Sequence, residues 1–287
     1  MKRGKIFKRR IIIGLILGLA VLVASWSSVA AAEKKKIVWT FNMNNLPKWC
    51  DIPFYGEWLP KRLAEVTDGL LELHVQINIV HSLDVFRSAR TGVIHGAIES
   101  TELDAGDWPL GSFMAIPGVI QADDEYPAVA NAVVWDYWEK SLRKKFNFYL
   151  LGINHWPGIN LYSNTPIRTI EDFKGKKLRG MGYYDNLSLK ELGAAGIEIP
   201  WVDIFAALQR GTVDGLITGL VPYESMGFWE YAKYINKISV HGSSCGSMIF
   251  VTGKAFDSLP DNLKPVVNKV FNEAADQNCA CNNTKLE

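Results

Sequence analysis

NTPIRTIEDFKGKKLRGMGYYDNLSLKELGAAGIEIPWVDIFAALQRGTVDG, residues 164–215, decides the fold, because its apolar pattern runs strand, helix, strand, helix, strand. Strands are predicted at 177–179, 197–199 and 213–218, with helices at 186–195 and 204–209. A single helical turn at 169–173 carries Glu171 and Asp172 in its first positions, Asp203 is placed to cap the 204–209 helix, and Gly211 follows it in the C′ position. Strand and helix in alternation imply an α/β fold with a mostly parallel sheet flanked by helices. Arg179 stands at the end of a short strand, just before a Gly-containing loop. Open α/β sheets present ligand-binding groups there, so the segment predicts a pocket for a small anion.

Upstream the same grammar holds. Strands are predicted at 36–43, 71–79 and 94–99, and helices at 52–66, 83–90 and 125–145. The pattern restarts at Tyr149 as in a second lobe, with strands at 149–154 and 159–163 around a break at Trp156-Pro157-Gly158. Residues 247–252 read as a strand returning to the first lobe.

The N-terminus sets the compartment. Lys2, Arg3, Lys5, Lys8, Arg9 and Arg10 precede an apolar run over residues 11–24 and a small-residue stretch ending at Ala30-Ala31-Ala32. That order is the signature of a cleaved secretory signal peptide, with cleavage near Ala32 and a periplasmic destination. The run of about 14 residues is short for a bilayer span, which needs about 20. Beyond residue 32, 25 basic residues face 30 acidic ones, a formal charge near −5 that argues against nucleic acid as partner. Cys50, Cys245, Cys279 and Cys281 allow a disulfide in an exported chain without specifying a pairing. The last two fall in a polar tail read as frayed. His74, His81, His95, His155 and His241 show no metal-ligand spacing, and neither a metal nor a cofactor is expected. Gly242-Ser-Ser244-Cys-Gly246 matches the G-x-S-x-G nucleophile elbow, but a strand-like run follows where that motif needs a helix. A Gly/Ser hinge between lobes accounts for it, and no enzymatic activity is expected.

SNTPI (163–167), DFKGKKLR (172–179) and LGAAGIEIPWVDIFAALQRGTVDG (192–215) together resemble the solute-binding proteins of TRAP transporters, the tripartite ATP-independent periplasmic carriers, of the DctP type. The specific element is D-x-K-G-x-K-x-R followed at the proper interval by A-L-Q-x-G-x-V-D-G. DVFRSARTGVIHGAIES (84–100) and the stretch 256–270 are similar to first-lobe segments of that family, so the resemblance covers most of the chain. It implies a two-lobe periplasmic-binding-protein clamshell (type II-like), with lobe I at 33–154 plus 247–287, lobe II at 155–246, and crossings near 154 and 246. It also implies a monomeric receptor that passes a small organic acid to a small and a large integral membrane subunit. A sensory protein presenting a carboxylate to a receptor is the alternative.

The same resemblance gives Arg179 the ligand carboxylate, a role that suits a guanidinium because its planar fork matches the acid group bidentately and stays charged. Trp201 matches an aromatic position against the ligand, although a core role accounts for it equally. Thr218 stands where many members have a contacting Asn, and Glu99 approximates an acidic pocket residue of some. Many acid-binding members carry a second basic residue where this chain has Ile159 and Asn160. A single arginine favours a monocarboxylate over a dicarboxylate, since a second buried carboxylate would lack a partner. Trp39, Trp156, Tyr183, Tyr184, Trp201, Phe228 and Trp229, expected near the cleft, suggest an apolar or aromatic body on that acid. Whether a cation bridges the ligand, as in some members, stays open. The family continues for at least one more helix past the stretch matching 266–275, whereas this chain stops at Glu287, truncated or with a divergent end.

Overall fold

The computed structural model of the protein describes residues 35–44, 52–102, 106–119, 128–156, 159–237 and 245–283, without the side chains of residues 245 and 278–283. The expected signal peptide, Cys50, Pro157-Gly158 and the Gly/Ser segment 242–244 lie outside the described residues. Among the described residues, ten strands form two sheets of five, and both belong to the single compact unit Ile37–Glu287.

The first sheet has the order β2-β1-β3-β10-β4. Its strands are β1 (Ile37–Met43), β2 (Leu71–Ile77), β3 (Gly96–Ser100), β4 (Phe148–Trp156) and β10 (Cys245–Thr252). Alternation along these strands builds two cores, because successive side chains point to opposite faces. Trp39, Phe41 and Met43 of β1 pack with Ile249 and Val251 of β10 under α1 (Leu59–Val66) and the long helix α6 (Lys264–Asn283). Met248 and Phe250 of β10 face the other way, against Phe86 of α2 (Val85–Arg90), Trp138 and Leu142 of α3 (Trp135–Phe146), and Trp108. Wide helical turns at Pro53–Trp58 lead into α1. Pro60 supplies the reason, because it removes one helical N–H and its ring crowds the carbonyl of the residue four places back, Gly56.

The second sheet has the order β7-β6-β8-β5-β9. It comprises β5 (Ile159–Ser163), β6 (Lys177–Gly180), β7 (Ala195–Glu198), β8 (Gly215–Gly219) and β9 (Tyr234–Asn236). Leu161, Leu178 and Ile217 turn toward Leu189 of α4 (Tyr183–Glu191), while Tyr162 and Leu216 turn toward Ile204 and Leu208 of α5 (Ile204–Gln209). Most of the shared motif is structural. The Asp172 carboxylate accepts the backbone N–H groups of Arg168 and Thr169 in a capping box with Thr169. Asp214 accepts the Lys177 N–H at 2.8 Å and the Asn164 side-chain amide at 3.1 Å, which ties the head of β6 to the end of β5. A Cβ at Gly215 would lie 2.2 Å from the Tyr162 carbonyl oxygen, so only glycine lets β8 close on β5 there.

The expected two-lobe α/β fold is present, with corrections in detail. The sheets are mixed rather than mostly parallel: β1 pairs in parallel with β2 and β3, and β6 with β7 and β8, whereas β10 and β5 run antiparallel to both their neighbours. The 186–195 helix begins earlier and ends earlier, at Tyr183–Glu191, because Gly182 is extended and Gly193 is left-handed at φ 93°. Asp203 occupies the position before α5 but makes no capping bond, since its φ of −97° and ψ of −8° already continue the Trp201–Asp203 turn into the helix. The 125–145 helix is regular only from Trp135, after wide turns at Ala130–Val134, and Val133 points to solvent. β4 runs on through Trp156. The tail expected to be frayed is helical to Asn283, as the continuation of α6.

Candidate functional site

β6 carries Arg179 to the C-terminal end of the parallel part of the second sheet, between β7 and β8. The side chain is 3% exposed. Its Nε donates to the Ile199 carbonyl at 3.4 Å and its Nη1 to the Ile217 carbonyl at 3.2 Å. These two main-chain acceptors, one just past β7 and one in the middle of β8, flank the guanidinium on either side and fix its plane. A charge this deeply buried is costly unless its donors are satisfied, and orientation by rigid backbone is what a recognition group requires.

Trp201 stands 6.0 Å from the guanidinium carbon, measured to its ring centre, close enough for a cation–π attraction. Its other side meets Phe228 edge-on at 5.9 Å. Trp201 is therefore both a half-buried member of the second-sheet core and a neighbour of Arg179. Thr218 is buried on β8, and Asn160, half-buried on β5, is its cross-strand partner. The second sheet thus gathers Arg179, Trp201, Thr218 and Asn160.

Glu99 lies buried on β3 of the first sheet and accepts a hydrogen bond at 2.5 Å from the Asn44 side-chain amide. Trp156 ends β4 opposite Cys245. Tyr183, the first residue of α4, is 61% exposed, with its ring edge-on to Tyr184. The aromatics expected around the cleft divide sharply. Trp39 stacks on Phe41 and packs against Phe271 inside the first-sheet core, Phe228 is core in the second, and Trp229 is exposed.

Two residues escaped the sequence reading. Glu102 follows β3 by two positions and is 2% exposed. An ideal Cβ at Gly182 would lie 2.8 Å from its carbonyl oxygen and 2.9 Å from its Cβ. Glu102 belongs to the first sheet's elements and Gly182 to the turn after β6, so the lobes touch there. The signal available was position: Glu99-Ser100-Thr101-Glu102 ends a strand of an α/β sheet, where ligand-facing groups collect.

A cavity of about 410 Å³ opens at the other end of the first sheet, lined in part by Trp39, Arg90, His95, Phe148 and Lys254. Apart from Trp39, one of the aromatics expected near the cleft, it includes none of the expected ligand residues, and Arg90 there closes the last turn of α2, where a cation complements the helix dipole. Among the described residues, no group of three or more His, Cys, Asp or Glu could hold a metal ion, and no helix is long and apolar enough to cross a membrane. Cys245 and Gly246, the last two residues of the G-x-S-x-G match, already belong to β10, which continues as a strand where a nucleophile elbow requires a helix.

Comparison with known proteins agrees with this architecture. The chain is 29% identical over 167 residues to a solute-binding protein of Sulfitobacter, covering 58% of this chain and 50% of that one. It is 30% identical over 134 residues to the sialic acid-binding periplasmic protein SiaP of Vibrio cholerae, covering 46% and 41%. The matching part thus spans about half the length of these curated relatives or less. Among solved structures, a TRAP periplasmic solute-binding protein of Desulfovibrio salexigens with bound orotic acid superposes with a TM-score of 0.78 at 23% identity, covering 87% of this chain and 80% of that one. An extracytoplasmic solute receptor of Bordetella pertussis that binds pyroglutamic acid gives 0.80 at 19% identity, with coverage of 86% and 81%. The model of the DctP family, described as bacterial extracellular solute-binding protein, family 7, matches residues 57–287, and the chain belongs to that family.

Proposed function

We propose that this protein is an exported periplasmic receptor that captures a small monocarboxylate through Arg179 and delivers it to the membrane subunits of a TRAP transporter. The observation that carries the reading is the buried guanidinium, held by the Ile199 and Ile217 carbonyls beside Trp201. A fixed fork of this kind suits one carboxylate, and the ring of Trp201 offers a flat face for an apolar or aromatic body. Thr218 and Asn160 supply polar contacts from β8 and β5, and Glu99 adds an acceptor from the other lobe, with Trp156 and Tyr183 at the margin. Orotic acid and pyroglutamic acid, bound by two structural relatives, each bear a single carboxylate, which supports the class without naming the ligand. Residues 33–154 with 247–287 form one lobe and 155–246 the other, in a monomer whose residues 1–32 direct export. Ligand that gains contacts only in the closed arrangement shifts the population toward it, and the closed form is what the membrane partner reads.

Titration calorimetry with orotate, pyroglutamate and a panel of mono- and dicarboxylates tests this reading. Arg179→Ala should weaken the acid that binds wild type by about 30-fold or more, because truncating one partner of a buried charge pair costs about 2–5 kcal/mol. Unchanged affinity in that variant would remove Arg179 from the site.

A further inference from the structure

Gly182 has no conformational need to be glycine. Its φ of −156° and ψ of −165° are ordinary extended backbone, open to any residue. The space around it is what excludes a side chain, and the atoms that fill that space belong to Glu102. Contact distances under 3.0 Å to a carbonyl oxygen and a Cβ cannot be relieved by rotating a flexible side-chain tip.

Both sides of this contact are held rigidly. On the second lobe, the Met181 N–H donates to the Asp185 carboxylate at 2.8 Å, and a Cβ at Gly180 would meet Asn186 Oδ1 at 2.6 Å, so the turn between β6 and α4 is clamped onto the helix it starts. On the first lobe, Ser112 Oγ lies 3.4 Å from the Thr101 carbonyl and 3.5 Å from that of Glu102. Ser112 belongs to the turn Pro109–Ala115, which packs directly against α4. Arg179 stands three residues before Gly182 on the same strand-to-helix turn. The group assigned to the ligand and the group that meets the opposite lobe therefore move as one piece.

We propose that Gly182 is a positioning residue: the bare backbone at this point seats lobe II on Glu102 and thereby sets the closed, ligand-holding arrangement. This rests on the reading of the protein as a receptor that closes on its ligand. A side chain at 182 props the lobes apart without touching the ligand, so it lowers the fraction of closed protein and raises the apparent Kd by the same factor.

The experiment has a ligand-dependent arm and a ligand-independent one. In the first, Gly182→Ala and Gly182→Val are compared with wild type and with Gly56→Ala, a glycine whose Cβ would have ordinary room at 3.8 Å from Ile52. With orotate and pyroglutamate as probes, we expect affinity to fall in the order Ala then Val, by about tenfold or more for Val. The melting temperature of the unliganded protein should stay within about 2 °C, and Gly56→Ala should bind like wild type. The radius of gyration measured by X-ray scattering with saturating probe should exceed that of liganded wild type in Gly182→Val. In the second arm, Gly182→Cys combined with Glu102→Cys should cross-link under mild oxidation, identified by mass spectrometry of the joined peptides, because the two Cβ positions, 2.9 Å apart as the lobes are seated, reach disulfide spacing when the lobes part by about 1 Å. Wild-type affinity and compaction in Gly182→Val, or no cross-link between 182 and 102, would overturn the proposal. If neither probe binds wild type, the monocarboxylate reading has failed for these acids, and the cross-link alone decides the contact.

Discussion

At the scale of single residues, the motif separates into scaffolding and the one group proposed for recognition. Asp172, Gly175 and Asp214 satisfy backbone groups and turn the chain, whereas Arg179 alone among them brings charge into the sheet's end. His95 shows how far a titratable group can be read from its neighbours. The Thr40 N–H donates to its Nδ1 at 3.0 Å, which fixes the neutral ring with its hydrogen on Nε2. Burial, and secondarily the nearby Lys254 ammonium, hold its pKa below the ordinary 6.5. The unfolded chain therefore binds the extra proton first, so stability is fully present above pH 6.5 and is lost as the pH falls through 6.5 toward the lower folded value. We expect the melting temperature of His95→Gln to vary less steeply between about pH 7.5 and 5.5 than that of wild type, followed by circular dichroism. Parallel curves would show that His95 carries no linked proton. Arg179 and Asp214 were legible from the motif that holds them, although the groups they bond, Ile199 and Ile217 for the first and Lys177 and Asn164 for the second, lie far off in the chain. Trp39 was not: the strand it sits on was clear, but Phe271, which closes the core over it, lies at the other end of the chain.

At the scale of elements, the alternating apolar pattern identified the strands but left their partners open. Periodicity states which face of a strand is buried; it does not state which strand lies alongside, because pairing is made across long stretches of chain. β5 acquires both its antiparallel neighbours from residues more than fifty positions downstream, β8 and β9. The short β9 is held by one buried side chain. The Asn236 amide donates to the Leu161 carbonyl at 3.1 Å and to Ser163 Oγ at 2.8 Å, while its Oδ1 accepts the Ile167 N–H at 2.8 Å. Replacing it leaves buried donors and acceptors unpaired, at about 1–3 kcal/mol for the groups exposed to that loss. Asn236→Leu should therefore lower the urea midpoint without restoring the edge, and a midpoint equal to wild type would show that β9 is held by its backbone alone.

At the scale of the molecule, the two lobes meet where Gly182 abuts Glu102 and where the turn Pro109–Ala115 packs against α4. An acid at about a hundredfold its Kd stabilises a receptor of this kind by about 2.7 kcal/mol. For a chain of this size that raises the melting temperature by about 5–10 °C. We expect this shift from a monocarboxylate and little or none from succinate at the same concentration, since Arg179 is the cation assigned to the pocket and a second carboxylate would be buried without one. A succinate shift equal to that of the best monocarboxylate would sink the single-acid assignment.

The two-lobe α/β fold and the place of Arg179 were determined by the sequence alone, because both follow from local order: strand, turn, helix, with the cation at the strand's end. The tertiary structure decided the rest. It made the sheets mixed, drew Trp39 and Phe228 into cores, set Trp201 beside the guanidinium, and brought Gly182 against Glu102. Each of these depends on residues distant in the chain meeting in space, and such meetings are fixed by packing two sheets at once, which no local pattern encodes.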